Sequence, residues 1–221
     1  MFLGHFGAGF AAKSIDQRPS LGTLFLAAQW TDLIWPVLLL AGIEKVNIDP
    51  GNTAFTPLDF VYYPFTHGFL SVIIWASLIG GIYFLTKKNA RGALLLAGLV
   101  ISHWILDWLV HGPDLPLVPG SDLKAGLGLW NSIGATVLVE GSIFLGGVYL
   151  YFRKTHPENR KGKIGLWSLV IFFLVIYALN LFGPPPPSAK PVALVGLAQW
   201  LFVGWAYWID ANRKPLKTGD L

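Results

Sequence analysis

The stretch Arg91–Leu117, RGALLLAGLVISHWILDWLVHGPDLPL, decides what solvent this chain folds in. Most of it reads as a helix built for lipid, yet it carries His103, Asp107 and His111 at intervals of four residues. At 3.6 residues per turn that spacing stacks all three side chains on one helical face, about 6 Å apart. A polar stripe on an apolar helix needs a partner, and the rest of the chain has to supply it.

The whole sequence agrees with a membrane setting. Of 221 residues, 54% are hydrophobic, only 13% are charged and ten are tryptophan. This is too little charge to clothe a soluble surface and too much apolar length for one core. The expected fold is an all-α membrane protein with six transmembrane helices plus a short N-terminal interfacial or re-entrant half-helix. The six spans fall near 21–43, 67–86, 91–111, 127–152, 164–183 and 191–209, each long enough to cross about 30 Å of hydrocarbon. They form one integral membrane domain over 1–221, with site-bearing helices in 1–152 and supporting helices in 164–209.

The basic residues sort by loop. Thirteen (Lys13, Arg18, Lys87, Lys88, Arg91, Arg153, Lys154, Arg160, Lys161, Lys163, Arg213, Lys214, Lys217) share one side, and three (Lys45, Lys124, Lys190) share the other. The positive-inside bias then predicts a cytoplasmic-membrane protein with both termini inside. Cysteine is absent, which excludes a disulfide frame, a thiolate metal site and a cysteine nucleophile.

The segment MFLGHFGAGFAA is apolar but too short to span. Lys13 and Arg18 follow it instead of preceding it, so a retained half-helix is expected and not a signal peptide. It would lie at the inner interface or re-enter the bilayer to about its midplane. The outer loop 44–66 carries Tyr62 and Tyr63, suited to a headgroup belt, before Pro64 opens the next span. GPPPPSAKP is a stiff outer spacer. The basic loop RKTHPENRKGK, with His156, reads as a solvated inner loop, and no nucleic-acid motif accompanies it.

Asp32, His103 and Glu140 fall near the middle of their spans, and His67, Asp107 and His111 lie toward the outer face. No Lys or Arg occurs inside a span, so the buried carboxylates lack a fixed cation, and each costs at least about 2.5 kcal/mol at mid-bilayer if charged. Protonation, imidazolium or bound metal has to compensate. His103 and Asp107 at i and i+4 form a common way for a helix to offer two ligands to one cation. His111 sits where Gly112 and Pro113 end the helix, either as a further ligand or as a solvated interfacial histidine. Pro36, four residues after Asp32, removes the helical bond to the Asp32 carbonyl and is expected to open that turn. Asp114 and Asp122 are expected to face water. Tyr177, Asn180 and Gln199 read as interhelical hydrogen-bonding residues.

In order, GHFGAGF, QWTDLIWP, FTHGFLS and SHWILDWLVHGPDLPLVPG, over roughly the first 120 residues, resemble the membrane-bound metal-dependent hydrolases, a family of small inner-membrane proteins. The order is also similar to that of the zinc phospholipase C and P1 nuclease group. The resemblance implies His5, Asp32, His67, His103 and Asp107 as metal ligands, joined by His111 from the stripe. The metal implied is zinc, or manganese, and the activity is hydrolysis by metal-activated water. Asp32 would then be a bridging ligand or general base, and Asp32 and Glu140 the candidate catalytic carboxylates. This chain has a single Asp32 where the family usually carries paired aspartates. Membrane lipid is both the expected surroundings and a candidate substrate.

Two other classes fit the same residues. Carboxylates and histidines without metal would make a proton or cation relay for transport. A membrane scaffold would use them only to fix helix packing. Against a duplicated transporter, every intramembrane acid and histidine lies before residue 141, so the two halves share no motif.

Overall fold

The computed structural model describes residues 1–216, and Lys217 lies outside them. The first helix, α1 (Leu3–Ala12), is followed by α2 (Leu21–Ala28) and α3 (Trp30–Leu40). A hairpin of β1 (Lys45–Ile48) and β2 (Leu58–Tyr62) precedes the single turn α4 (Pro64–His67) and the long helices α5 (Phe69–Lys87) and α6 (Ala90–Val110). The short pair β3 (Leu115–Pro116) and β4 (Lys124–Ala125) leads to α7 (Ile133–Lys154). Strand β5 (Thr155–Pro157), helices α8 (Arg160–Phe182), α9 (Ala189–Leu197) and α10 (Gln199–Asp210), and strand β6 (Arg213–Pro215) complete the chain. β5 and β6 pair antiparallel.

Local chemistry sets the helix starts. Ser20, Asn89, Ser132 and Asn159 each accept a first-turn amide of α2, α6, α7 and α8, satisfying a donor that a helix leaves free. Helices α5, α6, α7, α8 and the α9–α10 segment are each long and apolar enough to cross a membrane. The sixth expected span is the pair α2 and α3, bent by 55°. Their outer surfaces carry exposed Ile82, Leu85, Leu94, Leu138, Ile171 and Leu201, side chains that suit lipid and not water.

The break in the first span falls at Gln29 (φ −107°, ψ 7°), not at Pro36 as the sequence predicts. α3 stays helical through Pro36, where it packs along α9. At the break the Ala28 carbonyl turns to the His103 ring, 2.7 Å away.

α1 is neither on the membrane surface nor exposed to lipid. It is buried in the bundle against α7, α2 and α6. A methyl group on Gly147 would lie 2.1 Å from the Gly7 carbonyl oxygen, and one on Gly7 would lie 2.6 Å from that of Ile143. Backbone therefore meets backbone, the close approach that small residues permit between membrane helices. Below it the aromatic rings of Phe6, Phe10, Phe25, Phe144 and Phe173 form a core, with Phe6 and Phe173 stacked at 4.3 Å.

The far end of α1 is latched to the basic side of the molecule. Lys13 Nζ donates to Asp210 Oδ2 (2.7 Å) and to the Pro19 carbonyl (2.9 Å), and the Tyr151 hydroxyl donates to Asp210 Oδ1 (2.9 Å). Arg91 reaches the Ile15 carbonyl (2.6 Å). The Arg18 guanidinium bonded to Asp16 holds that carboxyl down at about 2, and Asn89 donates to the same side chain. These contacts place 13–20, 87–91, 151–163 and 210–215 on one face. Among the described residues this face carries twelve Lys and Arg, and the opposite loops carry three. Met1 does not lie among these basic loops, since α1 begins inside the bundle and Met1 is 6% exposed.

Candidate metal centre

Five of the sequence-predicted ligands converge between α1, α3, α4 and α6. Two overlapping groups have ligand atoms mutually within 4.8 Å: His5, His103 and Asp107, and Asp32, His67 and His103. Asp107 lies at the centre. Its Oδ2 is 3.1 Å from His103 Nε2 and 3.7 Å from His67 Nε2, and its Oδ1 is 3.0 Å from His5 Nε2. Asp32 Oδ1 is 3.2 Å from His67 Nε2 and 3.8 Å from His103 Nε2.

The broken first span prepares one of these histidines. The Ala28 carbonyl can only accept, so His103 Nδ1 carries a proton and donates to it. In the neutral ring Nε2 then presents a lone pair, and this buried nitrogen has no hydrogen-bond partner. A histidine anchored through Nδ1 to a backbone carbonyl, with Nε2 free, is the arrangement of a metal ligand. A second proton on His103 is the competing solution. It would turn an Nε2–H toward Asp107 Oδ2, 3.1 Å away.

The site is closed except at one member. His5, His67, His103 and Asp107 side chains are at most 5% exposed, while that of Asp32 is 22% exposed. Asp32 is therefore the member of the group that solvent reaches. An N- and O-donor set of this kind fits zinc or manganese.

The absence of a fixed cation, expected from the sequence, needs amending. The Met1 α-ammonium forms an ion pair with Asp107 Oδ1. The next two amides, of Phe2 and Leu3, donate to Glu140 Oε2 at 3.0 and 2.9 Å. Glu140 thus caps α1, where a negative charge meets unpaired amides and the positive helix end. Glu140, expected from its depth as a catalytic carboxylate, is placed at this cap and outside the two ligand groups.

His111 also stands apart. It is the C-cap of α6, with extended backbone (φ −63°, ψ 150°), so the helical spacing that would stack it over Asp107 has already ended. Its Nδ1 faces Asp114 Oδ1 (3.1 Å) and the Tyr63 hydroxyl (3.3 Å), and its ring packs on Trp130. Tyr63 is 1% exposed, a packing residue and not part of a headgroup belt.

No family model, curated protein or solved structure matches the chain.

Sequence reasoning missed two residues that touch the site. Glu44, in the loop between α3 and β1, is 1% exposed. Its Oε1 accepts the Phe65 and Thr66 amides (2.8 and 2.9 Å), and its Oε2 accepts the Thr66 hydroxyl (2.7 Å). Thr66 Oγ1 is in turn 2.7 Å from His67 Nδ1. An acidic residue among loop acids such as Asp49 and Asp59 gave no signal of this burial.

Proposed function

We propose that the protein is a metal-dependent hydrolase of the cytoplasmic membrane, acting on a phosphoester or ester of a lipid or other membrane-associated substrate. The observation that carries this reading is the convergence of His67 Nε2, His103 Nε2, Asp32 Oδ1 and Asp107 Oδ2 about one buried point, with His103 Nε2 unpartnered. The residues resembling membrane-bound metal-dependent hydrolases are largely those that line this point, which supports the same class.

A divalent cation bound there, zinc or manganese, would polarise a phosphoryl or acyl oxygen and lower the pKa of a water in the site. His67, His103 and Asp107 would hold the cation, with His5 completing the set through the other face of Asp107. Asp32, the exposed member, is placed to accept the proton of the attacking water. Low exposure of the others keeps bulk water from the charged groups, which strengthens every electrostatic contact among them. An apolar groove of Phe69, Leu70, Ile73, Trp104, Leu117, Val118 and Leu123 flanks the same parts of α5 and α6 and suits an acyl chain.

A proton relay is the second use of such residues. It fits less well, because α1 carries Phe6 and Phe10 between His5 and Lys13, and these rings belong to the aromatic core.

Chelation of the purified protein is expected to lower its melting temperature, and zinc to restore it. With free metal at about 100 times Kd, binding adds about 2.7 kcal/mol, which corresponds to roughly 5–10 °C for a chain of this size. A thermal melt that chelator and zinc leave unmoved would contradict the metal reading.

The charge bias further supports a site in the outer half of the membrane. Reporter fusions after residues 50, 120 and 188 should register as external and a fusion after residue 158 as cytoplasmic. The reverse pattern would invert the assignment.

A further inference from the structure

We infer that Glu44 is a positioning residue that sets the tautomer of His67 through the Thr66 hydroxyl, and thereby the readiness of the site for metal. The inference rests on the metal reading above for its consequence, but not for its geometry.

On the Nδ1 side of His67 the chain of donors has one solution. A carboxylate only accepts, so the single proton of the Thr66 hydroxyl is committed to Glu44 Oε2. Thr66 Oγ1 can then only accept from His67 Nδ1, 2.7 Å away, and the ring proton is fixed on Nδ1. The proton on Nε2, the nitrogen hydrogen-bonded to Asp32 Oδ1 at 3.2 Å, is then the one a metal would displace. His103 reaches the same state by a different device, the Ala28 carbonyl. Both imidazoles are therefore anchored through Nδ1–H and turn Nε2 toward the Asp32 and Asp107 carboxylates, one set by the break in the first span and the other by a buried loop acid. Glu44 is itself held in place by the Phe65 and Thr66 amides at the start of α4, so its orientation does not depend on His67.

This arrangement predicts an inversion upon a nearly isosteric change. In Glu44→Gln the single amide oxygen is required by the Phe65 and Thr66 amides, since the NH2 group cannot face two other donors. The NH2 then points at Thr66 Oγ1 and donates to it. The Thr66 hydroxyl turns its proton to His67 Nδ1, and the one proton of the neutral ring is confined to Nε2, where it blocks the ligand position. Outer partners of metal-binding histidines are worth about 10–100-fold in affinity.

The test is ¹⁵N-histidine NMR of the metal-free protein together with zinc titration. The chain has five histidines, and the His67 signals are those lost in His67→Asn. The wild type should show a protonated Nδ1, and Glu44→Gln a bare Nδ1, with zinc binding about 10–100-fold weaker. Thr66→Ser, which keeps the hydroxyl, should behave as wild type. Should Glu44→Gln fail to fold, Thr66→Val decides, because it removes the only acceptor for Nδ1–H and should abolish the tautomer preference. His67 remaining protonated on Nδ1 in the folded Glu44→Gln or Thr66→Val protein would overturn the inference. So would unchanged zinc affinity in either variant. Wild-type protein that binds no zinc would instead sink the hydrolase reading, and the tautomer in metal-free wild type and Glu44→Gln would still decide the role of Glu44.

Discussion

Asp107→Asn is expected to strip the protein of metal and of any hydrolysis while leaving its helical content intact. Asp107 is the one carboxylate whose two oxygens face different ligands, with Oδ1 on His5 and Oδ2 on His103 and His67. Asparagine keeps the size and one acceptor oxygen, but it removes the charge and turns an NH2 group toward one of those rings. A lost ligand costs more than a lost outer partner, so the affinity should fall by more than about 100-fold. If these residues only packed helices, there would be no metal to lose, and the change would cost only the ion pair of Asp107 with the Met1 ammonium. Asp122→Asn, in the loop beyond α6, is the control and should change nothing. Metal content and circular dichroism of the two proteins separate the readings, and full metal content in Asp107→Asn would remove Asp107 from the ligand set.

Gly147→Leu should expel α1 from the bundle. The added Cβ meets the Gly7 carbonyl at 2.1 Å, and both partners are backbone, so no side chain can turn aside. Overpacking a core costs typically about 1–3 kcal/mol, and a rigid backbone contact lies at the upper end of that range or beyond it. The helix would carry His5 away from Asp107 and take the amides of Phe2 and Leu3 from Glu140, so metal affinity should fall together with stability. The natural chain has no cysteine, which makes Ala12→Cys a clean reporter, since Ala12 is 2% exposed. A thiol reagent should label it slowly in the Ala12→Cys protein and rapidly once Gly147→Leu is added. Equal, slow labelling in both would show that α1 is held by something other than this contact.

The features legible in the sequence were those with a local period. Apolar length gave the spans, and the four-residue interval between His103 and Asp107 survives in α6 because an intact helix keeps it. His111 obeyed the same interval on paper, but the helix ends at Val110, and one extended residue redirects its ring to Tyr63 and Asp114. The break at Gln29 was hidden behind Pro36, the more obvious local signal. What accompanies that break is tertiary, an exchange of the Ala28 carbonyl from its own helix to His103. Burial of α1 was equally unreadable, because it depends on Gly7 and Gly147, residues 140 apart, meeting backbone to backbone. Glu140 could be placed at depth but not given its partner, since the amides it caps belong to a segment too short to span. Glu44 left no trace at all, because nothing in a polar loop distinguishes the one acid that folds inward.

Elemental analysis of the detergent-purified protein tests the central claim most directly. The account predicts near-stoichiometric zinc or manganese in the wild type, removed by chelator, regained on dialysis against zinc, and absent from Asp107→Asn. Folded wild-type protein that carries no divalent metal as isolated, and takes up none when zinc is supplied, would contradict it.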